Sequence, residues 1–398
     1  MNIGIVGGGQ LGQMLAQAGQ KLGHSFKFLV PPGECCVESL GEVIRSDFLD
    51  QDALAKFARA VDVFTFEWEN VPLATLEALS HFAPMRPSPS CAAIAKDRIQ
   101  EKKFFQAAGL NVQKFAAVSC LADMKLAVEH VGVPAMLKTR GQGYDGKGQQ
   151  RINDQSMLAH AFAQLGNVPC ILEAFVPFDF EISLIAVRTK EIAAPMASTL
   201  FYPPCRNQHI NGILHRTTVP AEGVSPSVLQ QTQMALEKML ETMDYEGVLC
   251  VEFFVLNTPD GQQLIANEMA PRVHNSGHWS IEGADTSQFT NHIKAITRQP
   301  LGSTALRAKS VMINLVGTIA TTISSHKNIV EDVTDHPFKT LRSGDVPSDC
   351  EMKQIQHVAV HIYGKSPRAG RKLGHITAVG DNAQSLADRV FNGGSLSL

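Results

Sequence analysis

Thirteen residues from Asn267 to Trp279, NEMAPRVHNSGHW, gather a glutamate, an arginine, two histidines and two asparagines. Such a cluster suits a metal centre, an acid–base pair or an oxyanion pocket. His274 and His278 stand four apart, a zinc spacing on a helix. Gly277 disfavours a helix, however, and Asn275-Ser276-Gly277 lacks the glutamate that activates water in metalloproteases. The preceding stretch favours another ion. VEFFVL (251–256) and QLIANE (263–268) read as strands joined by NTPDGQ, a turn built on Asp-Gly. A hairpin symmetric about Asp260 sets Glu252 opposite Glu268, with Cβ atoms about 5 Å apart on one face. A one-residue slip would turn one carboxylate away. Two carboxylates that close repel unless a cation lies between them, and magnesium, hard and oxygen-seeking, is the natural one. Arg272 could then steady an oxyanion while His274 and Asn275 orient a small polar reactant.

Four other stretches carry chemistry. Gly7 to Gly12, GGGQLG, follows a strand and opens a helix, so its amides suit an anion. The next strand ends FLVPP, without the acid that holds a nicotinamide ribose; a polar or phosphate-bearing substrate and a purely structural turn stay open. LKTRGQGYDGKGQQR (137–151) has four glycines and Lys147 between two strands, able to fold over a polyphosphate but lacking a Walker pattern. The alternative is a mobile hairpin tip. LEAFVPFDFEIS (172–183) frames an apolar strip with Glu173 and Glu181, fit for a base and its ribose or simply solvated. YGKSPRAGRKLGH (363–375) clusters Lys365, Arg368, Arg371 and Lys372, a phosphate loop or a solvated basic one.

The elements that must position these groups change along the chain. Residues 2–82 alternate strand and helix with apolar strands, the pattern of a parallel sheet covered on both faces. MRPSPS (85–90) breaks it, and one long helix is expected over 91–109. Shorter elements to about residue 174 suggest a small α+β unit, and strand-rich sequence then runs to the C-terminus. The expected fold is α/β and α+β in three domains: 1–98 a Rossmann-like parallel sheet, 99–174 a small lid with the glycine loop, 175–398 a larger mixed or antiparallel sheet. A length of 398 residues exceeds one ordinary core. The net charge of −3 argues against a nucleic-acid binder. No signal peptide or membrane span is expected, and eight scattered cysteines without CxxC fit a reduced, cytoplasmic protein.

Together these motifs resemble the ATP-grasp superfamily, and within it the N5-carboxyaminoimidazole ribonucleotide synthases of purine biosynthesis. The carriers are GGGQLGQM, FEWENV (66–71), KDR (96–98), GYDGKGQ (143–149), NQHINGIL (207–214), NEMAPRVHNSGHW and the YGK…GRKLGH tail, over nearly the whole chain. The resemblance implies ATP and Mg2+ as cofactors, and carboxylation of aminoimidazole ribonucleotide by bicarbonate through carboxyphosphate. It implies Arg98 and Lys138 on the phosphates, Gly143, Tyr144, Asp145, Gly146, Lys147, Gly148 and Gln149 as the covering loop, and Glu173, Ala174, Phe175 and Val176 at the adenine. Glu181 is implied on the ribose, His209 near the nucleotide, and Glu252 and Glu268 on magnesium beside Asn267. Arg272, His274 and Asn275 would form the bicarbonate site, with Asp145 and Tyr144 reaching the substrate. Gln10, Leu11 and Glu69 would face the ribonucleotide, and Lys365 and Arg371 its 5′-phosphate. A homodimer is implied too. Trp68 stands where phenylalanine is common, and PPCRNQ before His209 is unusual. Another ATP-grasp ligase, using formate or biotin, and a non-catalytic nucleotide-binding regulator are the competing expectations.

Overall fold

The structure, a computed structural model, describes residues 1–141, 143, 148–192, 197–317, 339–341 and 357–393. The first sheet is parallel, ordered β3-β2-β1-β4, from β1 (Asn2–Val6), β2 (Ser25–Val30), β3 (Glu42–Arg45) and β4 (Val63–Phe66). Its strands are short apolar runs, as burial on both faces requires. Helices α1 (Gln10–Lys21), α2 (Gln51–Ala58) and α3 (Leu73–Ser80) connect them; Asp50 caps α2 by accepting from the amides of Asp52 and Ala53. Strand order reverses direction of growth between β1 and β4, so the turns after these two strands open side by side at their carboxyl ends.

The single helix expected over 91–109 is two: α4 (Pro89–Lys96) and α5 (Arg98–Ala108). Asp97 breaks it. Its backbone is extended, and its carboxylate accepts from the amides of Ile99 and Gln100 while binding Arg140 at 2.7–2.8 Å. An aspartate that can cap and also hold an arginine gains more outside a helix than within one. The break re-aims α5 so that Arg98 points toward the large sheet.

The small antiparallel sheet, β5-β8-β6-β7, comprises β5 (Phe115–Val118), β6 (Ala135–Thr139), β7 (Gln149–Ile152) and β8 (Cys170–Ala174), with α6 (Leu121–Val131) and α7 (Leu158–Gln164) sharing its core. The large sheet has ten strands among the described residues. They are β9 (Phe180–Thr189), β10 (Ser198–Phe201), β11 (Cys205–Ile210), β12 (Ile213–Val219), β13 (Gly247–Thr258), β14 (Gly261–Ala270), β15 (Ser310–Gly317), β16 (Lys339–Leu341), β17 (His357–Ile362) and β18 (Arg371–Val379). The order is β14-β13-β9-β11-β12-β15-β18-β17-β16, with β10 on β9; only β16 and β17 pair in parallel. Helices α8 (Pro226–Thr242), α9 (Ser280–Gly283), α10 (Gln288–Ile296) and α11 (Ala383–Gly393) complete the chain. Because β12 pairs with β15, the C-terminal strands extend the same sheet and carry their basic loop to the same face as the Glu252–Glu268 hairpin.

A continuous core joins the first sheet to the large one: Met14 and Leu15 of α1 cluster with Phe289, Ile293 and Ile296 of α10. Thr65 Oγ1 and His292 Nε2 meet at 2.9 Å across this seam, and Arg86 donates to the Ile296 carbonyl at 2.6 Å. No described helix is long and apolar enough to cross a membrane.

Asp97→Ala is expected to lower the unfolding free energy by about 1–2 kcal/mol, seen as a lower thermal midpoint. Asp97→Asn, which keeps a cap acceptor, should recover most of it. An alanine variant as stable as the parent would remove the cap from this account of the helix break.

Candidate active site

The hairpin β13–β14 pairs Glu252 with Glu268, as its sequence predicts, but by a different route. The strands close at Thr258 and Gly261, a two-residue turn that by itself would set Glu252 opposite Asn267. A bulge between Glu252 and Phe253 absorbs Asn267 and restores the pairing. A bulge displaces one residue and re-aims its neighbours. Lys102 of α5, fully buried, holds this one by donating to the carbonyl oxygens of Ala266 at 3.1 Å and Asn267 at 2.5 Å. Glu101, beside it, accepts from the Met269 amide at 2.7 Å.

Burial drives the Glu252 carboxyl up to about 7; the His209 cation opposes this and the Glu268 charge adds to it. The Asn267 side-chain oxygen is buried without a hydrogen-bond partner. Two carboxylates and an amide oxygen suit a hard divalent cation such as magnesium. Among the described residues no group of three or more His, Cys, Asp or Glu is arranged to hold a metal, so phosphate or water oxygens would complete the shell. His274 and His278 do not converge as zinc ligands. Residues 275–277 form a single 3-10 turn, His274 lies toward Glu252 at 3.6 Å, and His278 is buried against Phe289 and His375.

Two cavities of about 300 and 290 Å³ open on either side of this hairpin. Arg98, Glu252, Glu268, His274, Asn275 and Lys372 line both, forming a shared wall. Arg98 donates to Glu268 at 3.0 Å. Asn275 has both side-chain polar atoms buried and unpartnered, a costly arrangement that a ligand at the wall would relieve. His274 is kept neutral, its pKa driven well below the usual histidine range by burial and by the Arg272 and Lys372 charges.

The second cavity is lined further by Lys138, Gln149, Glu173, Ala174, Phe175, Val176, Glu181 and His209. Lys138 binds Glu173 at 2.6 Å and Lys102 approaches it at 3.4 Å. Burial alone would raise the Glu173 pKa, but these ammonium groups pull it down to about 2. Glu173 is thus a buried counter-ion of the lysines, leaving Ala174 to Val176 as the apolar strip. Glu181 accepts from His209 at 2.6 Å. Gly148, with φ +71°, passes close to Thr139 at the base of the glycine loop, while Gly143 lines the first cavity. Tyr144, Asp145, Gly146 and Lys147 lie outside the described residues.

The first cavity is lined further by Gln10, Leu11, Glu67, Glu69 and Arg272. Glu69 pairs with Arg272, and Lys365 donates to Gln10, so both contacts tie the first sheet to the large one. Arg371 instead binds Glu34 at 2.6 Å. The glycine-rich turn is occupied by the chain itself: the amides of Gly9 and Gly12 donate to the two Glu67 oxygens, the second at 2.7 Å. A Cβ at Gly7 or Gly9 would fall 2.4 or 2.8 Å from Glu67 atoms. Those glycines admit an internal carboxylate.

Sequence reasoning assigned no role to Lys102, Glu67 or Glu34, and placed Lys372 in the basic cluster of the 363–375 loop, not in the wall between the cavities. Lys102 reads as one charge of a solvated helix face in RIQEKK, and nothing local marks it as buried. Glu67 was within a quoted motif, and its place after the strand adjoining the glycine turn was the available signal.

His209 is expected to remain an imidazolium at neutral pH. Burial works against the charge, but the Glu181 hydrogen bond and the Glu252 and Glu268 charges outweigh it and lift the pKa to about 9. With the folded value above the unfolded one, its contribution to stability is complete below about 6.5 and is lost as pH rises through about 9. Ring-resonance titration by NMR of the metal-free chain should place the transition near the upper value, and Glu181→Gln should lower it. A midpoint at or below 6.5 in the parent chain would refute the assignment.

Three family models cover the chain: a ribonucleotide synthetase preATP-grasp domain at residues 1–96, an ATP-grasp domain at 103–289, and a phosphoribosylaminoimidazole carboxylase C-terminal domain at 310–389. The N5-carboxyaminoimidazole ribonucleotide synthase of Pseudomonas aeruginosa is 44% identical over 98% of both chains. The crystal structure of the synthetase from Thermus thermophilus matches with a TM-score of 0.83 and 39% identity, over 100% of this chain and 99% of that one. A synthase structure from Aspergillus clavatus in complex with ADP and 5-aminoimidazole ribonucleotide matches with a TM-score of 0.82 and 26% identity, over 99% and 97%. The chain belongs to the N5-carboxyaminoimidazole ribonucleotide synthase family of ATP-grasp enzymes.

Proposed function

We propose that the wall shared by the two cavities is where bicarbonate is activated on one side and transferred to its acceptor on the other. The protein is an ATP-dependent ligase that carboxylates 5-aminoimidazole ribonucleotide in purine biosynthesis. The single observation that carries the assignment of parts is the set of six residues common to both cavities. ATP takes the second cavity, its base against Ala174 to Val176, its ribose at Glu181, and its phosphates at Arg98, Lys138 and His209. The ribonucleotide takes the first, between Gln10, Leu11, Glu69 and the 365–371 loop. Residues 143–149 close over the phosphates, with Tyr144 and Asp145 reaching the acceptor.

Arg272 and Asn275 hold bicarbonate at the wall. Its oxygen attacks the γ-phosphorus, the bond to the bridging oxygen breaks, and ADP leaves. Charge spreads over the transferring group, and Arg98, Lys138 and protonated His209 line the cavity that would receive it. Magnesium, held by Glu252, Glu268 and Asn267, would neutralise phosphate charge in the bound state. The product is carboxyphosphate. The exocyclic amine of the ribonucleotide then bonds to its carboxyl carbon, the carbon–oxygen bond to phosphorus breaks, and phosphate leaves with the amine's proton. Neutral His274 can orient the reactant through its remaining ring N–H but is not a general acid at neutral pH. Water must be excluded throughout, because carboxyphosphate hydrolyses readily. Assembly as a homodimer and a cytoplasmic setting belong to the same proposal; sedimentation of the purified chain tests the first.

ADP release with magnesium-ATP should rise strongly on adding aminoimidazole ribonucleotide, with bicarbonate required for coupled carboxylation. Turnover with another acid or amine, and none with the ribonucleotide, would retain the ATP-grasp chemistry and discard this acceptor. Arg272→Ala should reduce carboxylation about a hundredfold or more while ATP affinity, read by nucleotide titration, stays close to that of the parent. Near-normal turnover in that variant would remove Arg272 from the bicarbonate site.

A further inference from the structure

Two internal carboxylates occupy anion-binding groups beside the first cavity, and they are held very differently. Glu67 is built in. It takes two glycine amides, and Gly7 and Gly9 leave room for it and for no side chain of their own. The Gly9 and Gly12 amides at the α1 N-terminus are therefore taken, and the basic loop after β17 offers a further anion-accepting group on this side.

That loop is occupied by Glu34. One carboxylate oxygen accepts from the Ser366 backbone N–H at 2.7 Å and the Ser366 hydroxyl at 2.8 Å, and the other from Arg371 Nη1 at 2.6 Å. Lys365 is the adjacent residue and reaches Gln10 in the cavity. A backbone amide, a hydroxyl and a guanidinium converging on one anion form the donor set that recognises a phosphate monoester. Arg371 is pre-set for this, since Nη1 also donates to the Ser366 carbonyl at 3.0 Å. Unlike Glu67, Glu34 is exposed on the segment after β2, with more than a third of its side chain open to solvent. The Ser366 and Arg371 donors keep its carboxyl ionised, down to about 2.

Taking the basic loop as the seat of the ribonucleotide's phosphate, we propose that Glu34 fills the Ser366–Arg371 cradle until that phosphate displaces it. The proposal rests on the acceptor assigned above. Binding is then an exchange of one anion for another, and the measured affinity is the intrinsic one reduced by the fraction of molecules whose cradle is empty. Removing Glu34 should therefore improve binding, an effect that loss of a merely structural contact would not produce.

The test uses calorimetry of the full chain with ribose 5-phosphate, and ribose as blank. Glu34→Ala should bind ribose 5-phosphate about threefold to tenfold tighter. The KM for aminoimidazole ribonucleotide should fall by the same factor with kcat unchanged. Adding Arg371→Ala to that variant should abolish the gain. Glu38→Ala is the control: it removes an equal charge from the same segment, where Glu38 pairs with Arg45 and not with the cradle. If Glu34→Ala binds no tighter, or Glu38→Ala tightens binding equally, the exchange is overturned. The calorimetric arm needs no turnover, so the two ideas fail separately. Tighter ribose 5-phosphate without ribonucleotide-stimulated ADP release would keep the cradle and remove the acceptor. Stimulated ADP release without tighter binding would do the reverse.

Discussion

Two carboxylates on adjacent strands, Glu252 and Glu268, repel each other across a buried hairpin, and much of the site is arranged around that repulsion. The pair exists only because a bulge inserts Asn267; without it the two side chains would lie on opposite faces of the sheet. The bulge in turn leans on the Lys102 ammonium, and Lys102 is balanced by Glu173. Arg98 reaches Glu268 because Asp97 ends one helix and starts another. His209 arrives on the β11–β12 hairpin, and its positive charge is a consequence of the carboxylates around it. Local charges at this distance in a poorly solvated pocket are strong enough to set one another's protonation. Remove the pair, and Arg98 loses its carboxylate while part of what raises the histidine pKa goes with it.

The glycine-rich turn illustrates how one backbone arrangement serves different ends. Its position, after β1 and beside the reversal in strand order, is where doubly wound sheets bind ligands. The same topology brings the residue after β4 alongside, since Val6 pairs with Phe66 and both chains leave the sheet at that edge. That residue is a glutamate, and it satisfies the amides that a ligand's phosphate would otherwise take. The C-terminal strands bring a further anion-accepting group, a basic loop, to this same side, where Lys365 reaches Gln10. A sheet extended by β15, β18 and β17 is the means of doing so.

Much of this was legible in the sequence, and the exceptions have physical causes. Apolar strands alternating with helices declared the parallel sheet, and the Asp-Gly turn declared the hairpin that pairs Glu252 with Glu268. The pairing was right although the assumed symmetry was not: the turn is one residue shorter than symmetry about Asp260 requires, and the bulge adds that residue back. Bulges leave no local signature, because they answer to what the neighbouring element needs. The break at Asp97 was missed since capping competes with helix continuation only when Arg140 is near, a contact across forty-three residues. The β11–β12 hairpin carries a clear signal, Asn211-Gly212, both with positive φ, within the NQHINGIL stretch quoted for other reasons. Glu34 and Lys102 were invisible because their partners lie in another part of the chain, and an isolated charged residue is usually solvated.

The specificity of NEMAPRVHNSGHW follows from the separate demands on its members. Glu268 must face Glu252. Arg272 must cross to Glu69 on the first sheet. His274 accepts from the Ser276 amide and hydroxyl, which fixes the short turn that turns Asn275 inward. Gln288 clamps that turn with bonds of 3.0 Å to the His274 amide and 2.6 Å to its carbonyl. It passes so close to Gly277 that a Cβ there would fall 2.5 Å from it. Trp279, fully buried, packs edge-on to Tyr202 and donates to Cys205, anchoring the end of the run in the core. Asn275 is left with unmet hydrogen bonds that would cost about 1–3 kcal/mol each in a site with no ligand. A clamp, a glycine and a buried tryptophan hold the amide in that unfavourable place, which is intelligible only if something polar is meant to arrive there.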